Sequence, residues 1–253
     1  MFRENRCVDC EECVSACPTE ALSIKSGKKL IIDRKSCNLC GKCVQKCPTD
    51  ALSMVGKETG VDEVMKEVEK DSAFYDESKG GVTISGGEPL HQIDFLNAIL
   101  DECKKKNVPT AVDTSGYASY EDIENIKENV DLFLYDIKMM DEKKHRQYTG
   151  VSNKQILENF RRLAEDGRDL FVRFPVVPGI NDGQSNVSKT ADFILSCGVK
   201  RIWLLPYHRA GIEKYRSLGR EYRLKLMKSP TEQRLNLIKE QLEGLGLSVE
   251  IGG

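Results

Sequence analysis

The sequence has no strong excess of charge, no long apolar run and no apolar start. Its 38 lysines and arginines are balanced by 40 aspartates and glutamates, for a formal net charge of −2, which argues against non-specific binding to nucleic acid. No apolar run approaches the roughly 18 residues of a membrane span. The start, Met-Phe-Arg-Glu-Asn-Arg, lacks an apolar core, so we expect that it is not a signal peptide.

Cysteine, by contrast, is abundant and concentrated near the start of the chain. Eight of the ten cysteines lie before residue 48. They form two runs of equal spacing, Cys7-x2-Cys10-x2-Cys13-x3-Cys17-Pro18 and Cys37-x2-Cys40-x2-Cys43-x3-Cys47-Pro48. This is the spacing of bacterial ferredoxins with two [4Fe-4S] clusters, in which the fourth cysteine of each run ligates the other cluster. We therefore assign two crossed ligand sets: Cys7, Cys10, Cys13 with Cys47, and Cys37, Cys40, Cys43 with Cys17.

The similarity of the two runs extends beyond the cysteines. Pro-Thr-Glu-Ala-Leu-Ser-Ile follows Cys17 and Pro-Thr-Asp-Ala-Leu-Ser-Met follows Cys47, which indicates an internal duplication. Neither a zinc site nor the disulfide framework of a secreted protein requires two such runs. Because iron-binding thiolates need a reducing environment, we expect a cytoplasmic protein. Cys103 and Cys197 are predicted to be small, buried or half-buried hydrophobic residues on helices.

After a turn-like stretch at residues 56–60, strands and helices alternate. We predict a ferredoxin-type domain over residues 1–55, with short strands at residues 21–24, 30–32 and 51–54, and a second domain over residues 56–253. The second domain has predicted strands at residues 82–85, 111–114, 132–137, 170–177, 202–205 and 247–251. Its last helix is expected to follow an N-cap at Ser229, with Pro230 in the first turn. The alternation predicts parallel βα units in a partial barrel or open wound sheet, with the ligand site at the carboxyl ends of the strands.

Polar motifs follow the first five strands of the second domain. They are Gly86-Gly87-Glu88-Pro89, Asp113-Thr114-Ser115-Gly116, Asp136-Ile137-Lys138, Arg173 with Val177-Pro178-Gly179, and Leu205-Pro206-Tyr207-His208. Paired glycines let a backbone approach a ligand closely, and the Glu88 carboxylate can accept hydrogen bonds from an ammonium group. Any one motif alone could be an ordinary turn. Five at one edge of a sheet predict a binding site.

Together with the cysteine runs, these motifs resemble the activating enzymes of glycyl radical enzymes. Those proteins are radical S-adenosylmethionine enzymes related to pyruvate formate-lyase activase, and the subgroup with a two-cluster ferredoxin insert is the most similar. The resemblance covers essentially the whole chain. It implies reductive cleavage of S-adenosylmethionine to a 5′-deoxyadenosyl radical, which abstracts a hydrogen atom from a glycine of the partner enzyme.

The resemblance also implies roles for individual residues. Gly86, Gly87 and Glu88 match positions that meet the amino group of S-adenosylmethionine. Asp113, Thr114 and Asp136 match positions near the carboxylate of S-adenosylmethionine and a bound monovalent cation. Lys138 and His208 match polar contacts to this cofactor. Arg173 matches a residue that faces the glycyl loop of the partner.

One family motif has no counterpart in this sequence. Family members carry a Cys-x3-Cys-x2-Cys loop after the first barrel strand, and it holds the cluster that binds S-adenosylmethionine; no such spacing occurs here. The expected architecture is therefore an α/β fold, a partial (βα)6 radical-SAM-type barrel missing its first strand, with a small two-cluster ferredoxin-like domain at the N-terminus. We expect an unpaired sheet edge with reduced stability, and no cleavage of S-adenosylmethionine by this polypeptide alone.

Two hypotheses about function remain open. The leading one is an activase-type enzyme, or the larger part of one read from an internal methionine, whose two clusters relay electrons from a reduced ferredoxin or flavodoxin. The alternative is a non-catalytic iron-sulfur electron-transfer or partner-binding protein derived from such an activase. Residues 209–228 include seven lysines and arginines, which either dock an acidic partner or form an exposed connector.

Overall fold

The computed structural model describes residues 1–25 and 29–252, and these form two compact units. The first unit comprises Met1–Glu58 and Arg209–Met227, and the second comprises Thr59–His208 and Lys228–Gly253. The domains predicted at residues 1–55 and 56–253 stay a prediction.

The strands form one small sheet and one large sheet. In the first unit, Leu22–Lys25 (β1) pairs antiparallel with Lys29–Ile32 (β2). The strands of the second unit are Val82–Ile84 (β3), Thr110–Thr114 (β4), Leu132–Asp136 (β5), Leu170–Val176 (β6), Arg201–Pro206 (β7) and Ser248–Ile251 (β8).

The described α-helices are, in chain order, Glu12–Ser15 (α1), Lys42–Gln45 (α2), Val61–Glu69 (α3), Ser72–Ser78 (α4), Ile93–Lys105 (α5), Tyr120–Ile126 (α6), Glu142–Thr149 (α7), Lys154–Glu165 (α8), Gln184–Ser196 (α9), Gly211–Ser217 (α10) and Glu232–Gly244 (α11). Three of them, α1, α2 and α10, belong to the first unit, and the others precede or alternate with the strands of the second unit. None of the described helices is long and apolar enough to cross a membrane.

The large sheet is parallel throughout, in the order β3-β4-β5-β6-β7-β8. This confirms the predicted α/β fold with its parallel sheet, here of six strands. Burial alternates along the central strands, because one face packs against helices. Val112, Phe133 and Val172 on that face are at most 1% exposed and join Leu100 and Phe160 of the helices in one core. Each large apolar side chain buried there stabilises the fold by about 1.5–3 kcal/mol.

Two details of the predicted secondary structure are wrong. Residues 51–54 form no strand; Leu52 makes only an isolated bridge to Phe2. Helix α11 begins at Glu232 and is capped by Thr231, whose hydroxyl accepts a hydrogen bond from the Arg234 N–H at 3.2 Å. Ser229 and Thr231 both offer a capping hydroxyl, so the local sequence alone did not decide between them.

Candidate functional site

The eight cysteines of the first unit line two separate cavities. Cys7, Cys10, Cys13 and Cys47 line one cavity, and Cys17, Cys37, Cys40 and Cys43 line the other. Three cysteines of each set come from one run and the fourth comes from the other run. This is the grouping that the crossed assignment predicts, although ligation of iron by these thiols stays a prediction.

The backbone around the cysteines repeats with the duplication. Left-handed residues occur at three pairs of positions that are 30 residues apart: Asp9 and Leu39, Glu11 and Gly41, Glu20 and Asp50. Non-glycine residues rarely adopt this conformation, so its recurrence marks two loops of the same shape. Backbone N–H groups in turns that mix right- and left-handed residues form concave anion sites, which are common around iron-sulfur centres.

Local contacts give the cysteines within each run different pKa values. A hydrogen bond with the Thr19 hydroxyl, at 3.7 Å, lowers the pKa of the Cys17 thiol. For Cys47, burial raises the pKa, but hydrogen bonds from the Leu52 and Thr49 N–H groups outweigh it and the net pKa is lowered. Burial raises the pKa of Cys13 and Cys43. In both halves of the duplication, the pKa of the third cysteine of the run is raised and the pKa of the fourth is lowered. The fourth cysteine therefore forms the metal-binding thiolate more readily than the third.

The cysteine sets fit the donor set of an iron-sulfur cluster. A [4Fe-4S] cluster is held by four cysteine thiolates, and four cysteines line each cavity. In the described part of the chain, no three His, Cys, Asp or Glu side chains are grouped closely enough to hold one metal ion.

Most of the predicted site residues of the second unit lie at the carboxyl ends of β3 to β6. Gly86 has a φ of +131°, and a Cβ added at Gly86 or at Gly87 would meet no atom within 4 Å. The backbone of this Gly-Gly turn is therefore open on the side where side chains would normally stand. Such an open backbone can approach the polar end of a small ligand.

Glu88 joins the Gly-Gly turn to the end of β4. Its Oε1 accepts a hydrogen bond from the Thr114 hydroxyl at 2.6 Å. Its Oε2 accepts two more from Ser115, from the N–H at 2.9 Å and from the hydroxyl at 2.5 Å. A carboxylate has about four lone-pair sites, so Glu88 is largely committed to holding the two strand ends together. Its negative charge nevertheless stays beside the Gly-Gly turn.

A network of charges lies at the carboxyl ends of β4, β5 and β6. Arg173 is paired with Asp113 and also faces Asp136, with 3.4 Å between Nε and Oδ1. Those two facing atoms are buried and make no hydrogen bond. Lys138 completes the network by donating to Asp136 Oδ2 at 2.8 Å. The structure thus brings together four of the predicted site residues.

Strand register explains this convergence. Asp136 of β5 lies level with Arg173 of β6, and Asp113 of β4 lies level with Leu134 of β5. In a parallel sheet, side chains two residues apart share one face. Asp113, Asp136 and Arg173 therefore stand on the same face, opposite the helix-packed core. His208 lies two residues beyond β7, is exposed, and has no hydrogen bond or ion pair with another described residue.

Two residues that support the site, Ser115 and Asn181, were not predicted from the sequence. Ser115 was quoted in its motif but received no role, although it binds Glu88 twice. Asn181 is 3% exposed; its amide donates to the carbonyls of Lys138 at 2.9 Å and Pro175 at 2.6 Å, and its Oδ1 accepts from the Val177 N–H at 2.8 Å. Asn181 thereby ties the end of β5 to the end of β6. The position of Asn181 just after the Val-Pro-Gly motif was the one feature of the sequence that could have indicated this role.

Gly116 is required where β4 leaves the sheet. Its φ is +69°, and its N–H donates to the Thr114 hydroxyl at 2.9 Å. The ring of Tyr135 fills the space where a side chain would stand. Burial and, secondarily, the charge of Glu88 raise the pKa of Tyr135 well above its usual value, so its hydroxyl stays protonated and donates to the Ile156 carbonyl at 2.7 Å.

Two protein-family models match the chain. The model of the radical SAM superfamily matches residues 42–194. The model of the 4Fe-4S dicluster domain matches residues 6–68. The two matches together include the cysteine cavities and the ends of β3 to β6.

Individual proteins match over most of the chain. The trans-4-hydroxy-L-proline dehydratase activating enzyme of Clostridioides difficile is 40% identical over 256 residues, which cover 100% of this chain and 84% of that enzyme. The isethionate sulfite-lyase activating enzyme of Nitratidesulfovibrio vulgaris is 42% identical over 226 residues, 87% of this chain and 73% of that enzyme. A crystal structure of a domain of pyruvate-formate lyase-activating enzyme from Bacteroides vulgatus superposes with a TM-score of 0.59 and 34% identity, over 69% of this chain and 99% of that domain.

Proposed function

Because this chain belongs to the radical S-adenosylmethionine superfamily, among the activating enzymes of glycyl radical enzymes, we propose that it serves S-adenosylmethionine-dependent formation of a glycyl radical on a partner enzyme. The family uses [4Fe-4S] clusters and S-adenosylmethionine. The observation that carries the proposal for this chain is the convergence of Glu88, Thr114 and Ser115 beside the open Gly86-Gly87 turn.

In the second unit, the strand ends would hold S-adenosylmethionine. We assign its ammonium group to the backbone of Gly86 and Gly87, with the negative charge of Glu88 nearby, since the Glu88 oxygens are largely occupied. Three residues are assigned to the ligand's carboxylate and a monovalent cation: Asp113, Thr114 and Asp136. Lys138 and His208 are assigned as polar contacts, and Arg173 as a contact to the glycyl loop of the partner.

When bound and reduced, the cofactors of this family supply a 5′-deoxyadenosyl radical that removes a hydrogen atom from glycine. The residues of this chain contribute binding and orientation. Asn181 and Ser115 hold the strand ends in register, and the Asp136 carboxylate orients Lys138 and Arg173. A fixed arrangement of this kind lowers the entropy cost of bringing reacting groups together.

In the first unit, the eight cysteines would hold two [4Fe-4S] clusters in crossed sets. Their proposed role is to pass electrons from a reduced ferredoxin or flavodoxin toward S-adenosylmethionine cleavage. Because iron-binding thiolates persist in a reducing compartment, we assign the protein to the cytoplasm. The partner is a glycyl radical enzyme.

The ligand assignment is tested by titrating S-adenosylmethionine into the anaerobically reconstituted protein in a calorimeter. We expect Asp136→Asn to lower the affinity about tenfold, the effect of losing one charged hydrogen-bonding group. Asp169→Asn is the matched control, because Asp169 is exposed, precedes β6 at the opposite edge of the sheet and pairs with Arg201. Equal affinities of the two variants would contradict the assignment.

The sequence contains no Cys-x3-Cys-x2-Cys run, so we propose that a polypeptide of only these 253 residues does not form 5′-deoxyadenosine. Formation of that product would refute this. The genomic DNA upstream of the Met1 codon separates the two functional hypotheses. An in-frame extension that encodes the run supports the activase, and an immediate in-frame stop supports a non-catalytic electron-transfer or partner-binding protein.

A further inference from the structure

The basic segment at residues 209–228 belongs to neither proposed site. It holds seven lysines and arginines but only two glutamates, Glu213 and Glu221, within a chain whose net charge is −2. The structure assigns Arg209–Met227 to the same compact unit as the cysteine cavities. Helix α10 and the turn after it contact the start of the chain, where the Phe2 N–H donates to the Ser217 carbonyl at 2.9 Å.

A large groove lies in the first unit, along this segment. Its volume is about 1070 Å³. One wall is formed by Glu213 and residues 216–221, and the other walls by residues 2–5 and by residues around β2. The Arg34 guanidinium spans from one wall to the other and donates to the Leu218 carbonyl at 3.5 Å. The groove is thus built by parts of the chain that are about 180 residues apart.

The charges in the groove favour an acidic occupant. Four arginines line it: Arg3, Arg34, Arg216 and Arg220. Two of the three glutamates in its walls are already paired, Glu213 with Arg216 and Glu221 with Lys225. Among the described residues, Arg3, Arg34 and Arg220 have no carboxylate partner and are exposed. Unpaired guanidinium groups on one surface attract carboxylates, often in paired hydrogen bonds.

The groove shares walls with both cysteine cavities. Phe2 and Leu30 line the groove and also the cavity of Cys7, Cys10, Cys13 and Cys47. Ile32 and Arg34 line the groove and also the cavity of Cys17, Cys37, Cys40 and Cys43. A molecule in the groove is therefore separated from each set of thiols by a single layer of side chains.

We propose that this groove is the docking site of a small electron-carrier protein whose redox centre lies within an acidic surface. The proposal rests on the proposed function, since it assumes that the eight cysteines hold iron-sulfur clusters. Docking forms no covalent bond and moves no proton. In each encounter one electron leaves the carrier, which is oxidised by one unit, and one cluster of this chain is reduced by one unit. Complementary charge would accelerate such an encounter and orient it.

The test measures binding of an acidic flavodoxin to the anaerobically reconstituted chain by calorimetry, and cluster reduction by that flavodoxin by stopped-flow absorbance. We expect Arg3→Glu with Arg220→Glu to raise the Kd about tenfold, to slow cluster reduction by a similar factor and to weaken the salt dependence. Arg223→Glu is the matched control, because Arg223 is exposed in the same segment but does not line the groove. It should change Kd less than twofold.

Several results would overturn the docking site. They are an unchanged Kd in the double variant, an equal loss in Arg223→Glu, and a sedimentation result in which a second copy of the chain occupies the groove and excludes flavodoxin. Unchanged iron content and circular dichroism verify that the variants fold. Reduction by dithionite separates the two proposals: if the clusters form and accept electrons from dithionite but S-adenosylmethionine does not bind, the proposed function fails while the docking result still stands.

Discussion

Replacing Gly116 by alanine tests how the end of β4 is built. The added Cβ would lie 1.7 Å from the Tyr135 hydroxyl oxygen and 2.1 Å from its Cζ. Tyr135 is fully buried, at 0% exposure, and donates its hydroxyl proton to the Ile156 carbonyl at 2.7 Å. The tyrosine cannot move outward without breaking that hydrogen bond, so the clash has no inexpensive relief.

The magnitude follows from three contributions. A left-handed conformation costs alanine about 1 kcal/mol relative to glycine. Overpacking of a core costs about 1–3 kcal/mol, and a broken buried hydrogen bond costs about 1–3 kcal/mol. A shift of Tyr135 relieves the overlap but breaks its hydrogen bond, so the overpacking cost and the hydrogen-bond cost are not fully additive. We expect Gly116→Ala to lower the free energy of unfolding of the second unit by about 3–5 kcal/mol.

The same substitution should weaken ligand binding. The Gly116 N–H donates to the Thr114 hydroxyl, which in turn donates to Glu88. Asn159 holds the Gly116 carbonyl from the other side, with its amide at 2.9 Å. A displaced Gly116 would therefore move the Thr114 hydroxyl, which holds Glu88 beside the Gly-Gly turn. Weaker binding of S-adenosylmethionine should accompany the loss of stability.

The assay is guanidinium unfolding followed by fluorescence of Trp203, the only tryptophan in the chain. Trp203 lies on β7, stacked on Phe171 with 4.0 Å between ring centroids, so it reports on the second unit. Gly150→Ala is the control, because its φ is +89° but nothing lies within 4 Å of an added Cβ. We expect it to cost only about 1 kcal/mol. A Gly116→Ala variant no less stable than Gly150→Ala would refute this explanation.

Three further predictions concern single contacts. Thr114→Val removes the 2.6 Å hydrogen bond to Glu88 and should lower S-adenosylmethionine affinity about tenfold in calorimetry, whereas Thr114→Ser should retain most of it. Thr19→Val removes the leading cause of the lowered Cys17 pKa; the pKa should rise, leaving less thiolate near neutral pH and slower alkylation of Cys17 in the metal-free protein by mass spectrometry. Asn181→Ala should cost about 2–3 kcal/mol in urea unfolding, since it leaves buried carbonyl and N–H groups unpaired.

Each of these has a contrary outcome. If Thr114→Ser loses as much affinity as Thr114→Val, the hydroxyl is not the group that matters. Alkylation of Cys17 that also slows in Thr49→Val would mean that the effect is not local, because Thr49 contacts Cys47. Stability of Asn181→Ala within about 0.5 kcal/mol of the unsubstituted protein, the usual range for surface changes, would show that water replaces the amide.

The strands were predictable because their pattern is local. The short apolar runs of β5 and β6 and the apolar stripe of α5 are visible within windows of a dozen residues. The cysteine grouping was predictable for a similar reason, since the spacing alone indicates which thiols share a loop. Only the crossing of Cys17 and Cys47 needed knowledge of two-cluster ferredoxins.

The groove and the role of Glu88 were not predictable in this way. The segment at residues 209–228 is held by partners far earlier in the chain: Phe2 contacts Ser217 and Arg34 contacts Leu218. From the sequence, Glu88 was predicted to place a carboxylate near a ligand. Its hydrogen bonds to Thr114 and Ser115 depend on how β3 pairs with β4, which spacing along the sequence does not specify.

The electron-transfer role depends first on two clusters held by crossed sets of cysteines. The most direct measurement is iron and acid-labile sulfide per chain after anaerobic reconstitution, with EPR spectra of reduced Cys10→Ser, Cys40→Ser and Cys47→Ser variants. We predict about eight irons, with Cys47→Ser altering the same signal as Cys10→Ser and sparing the signal that Cys40→Ser alters. About four irons, or a Cys47→Ser spectrum that matches Cys40→Ser, would contradict the crossed sets.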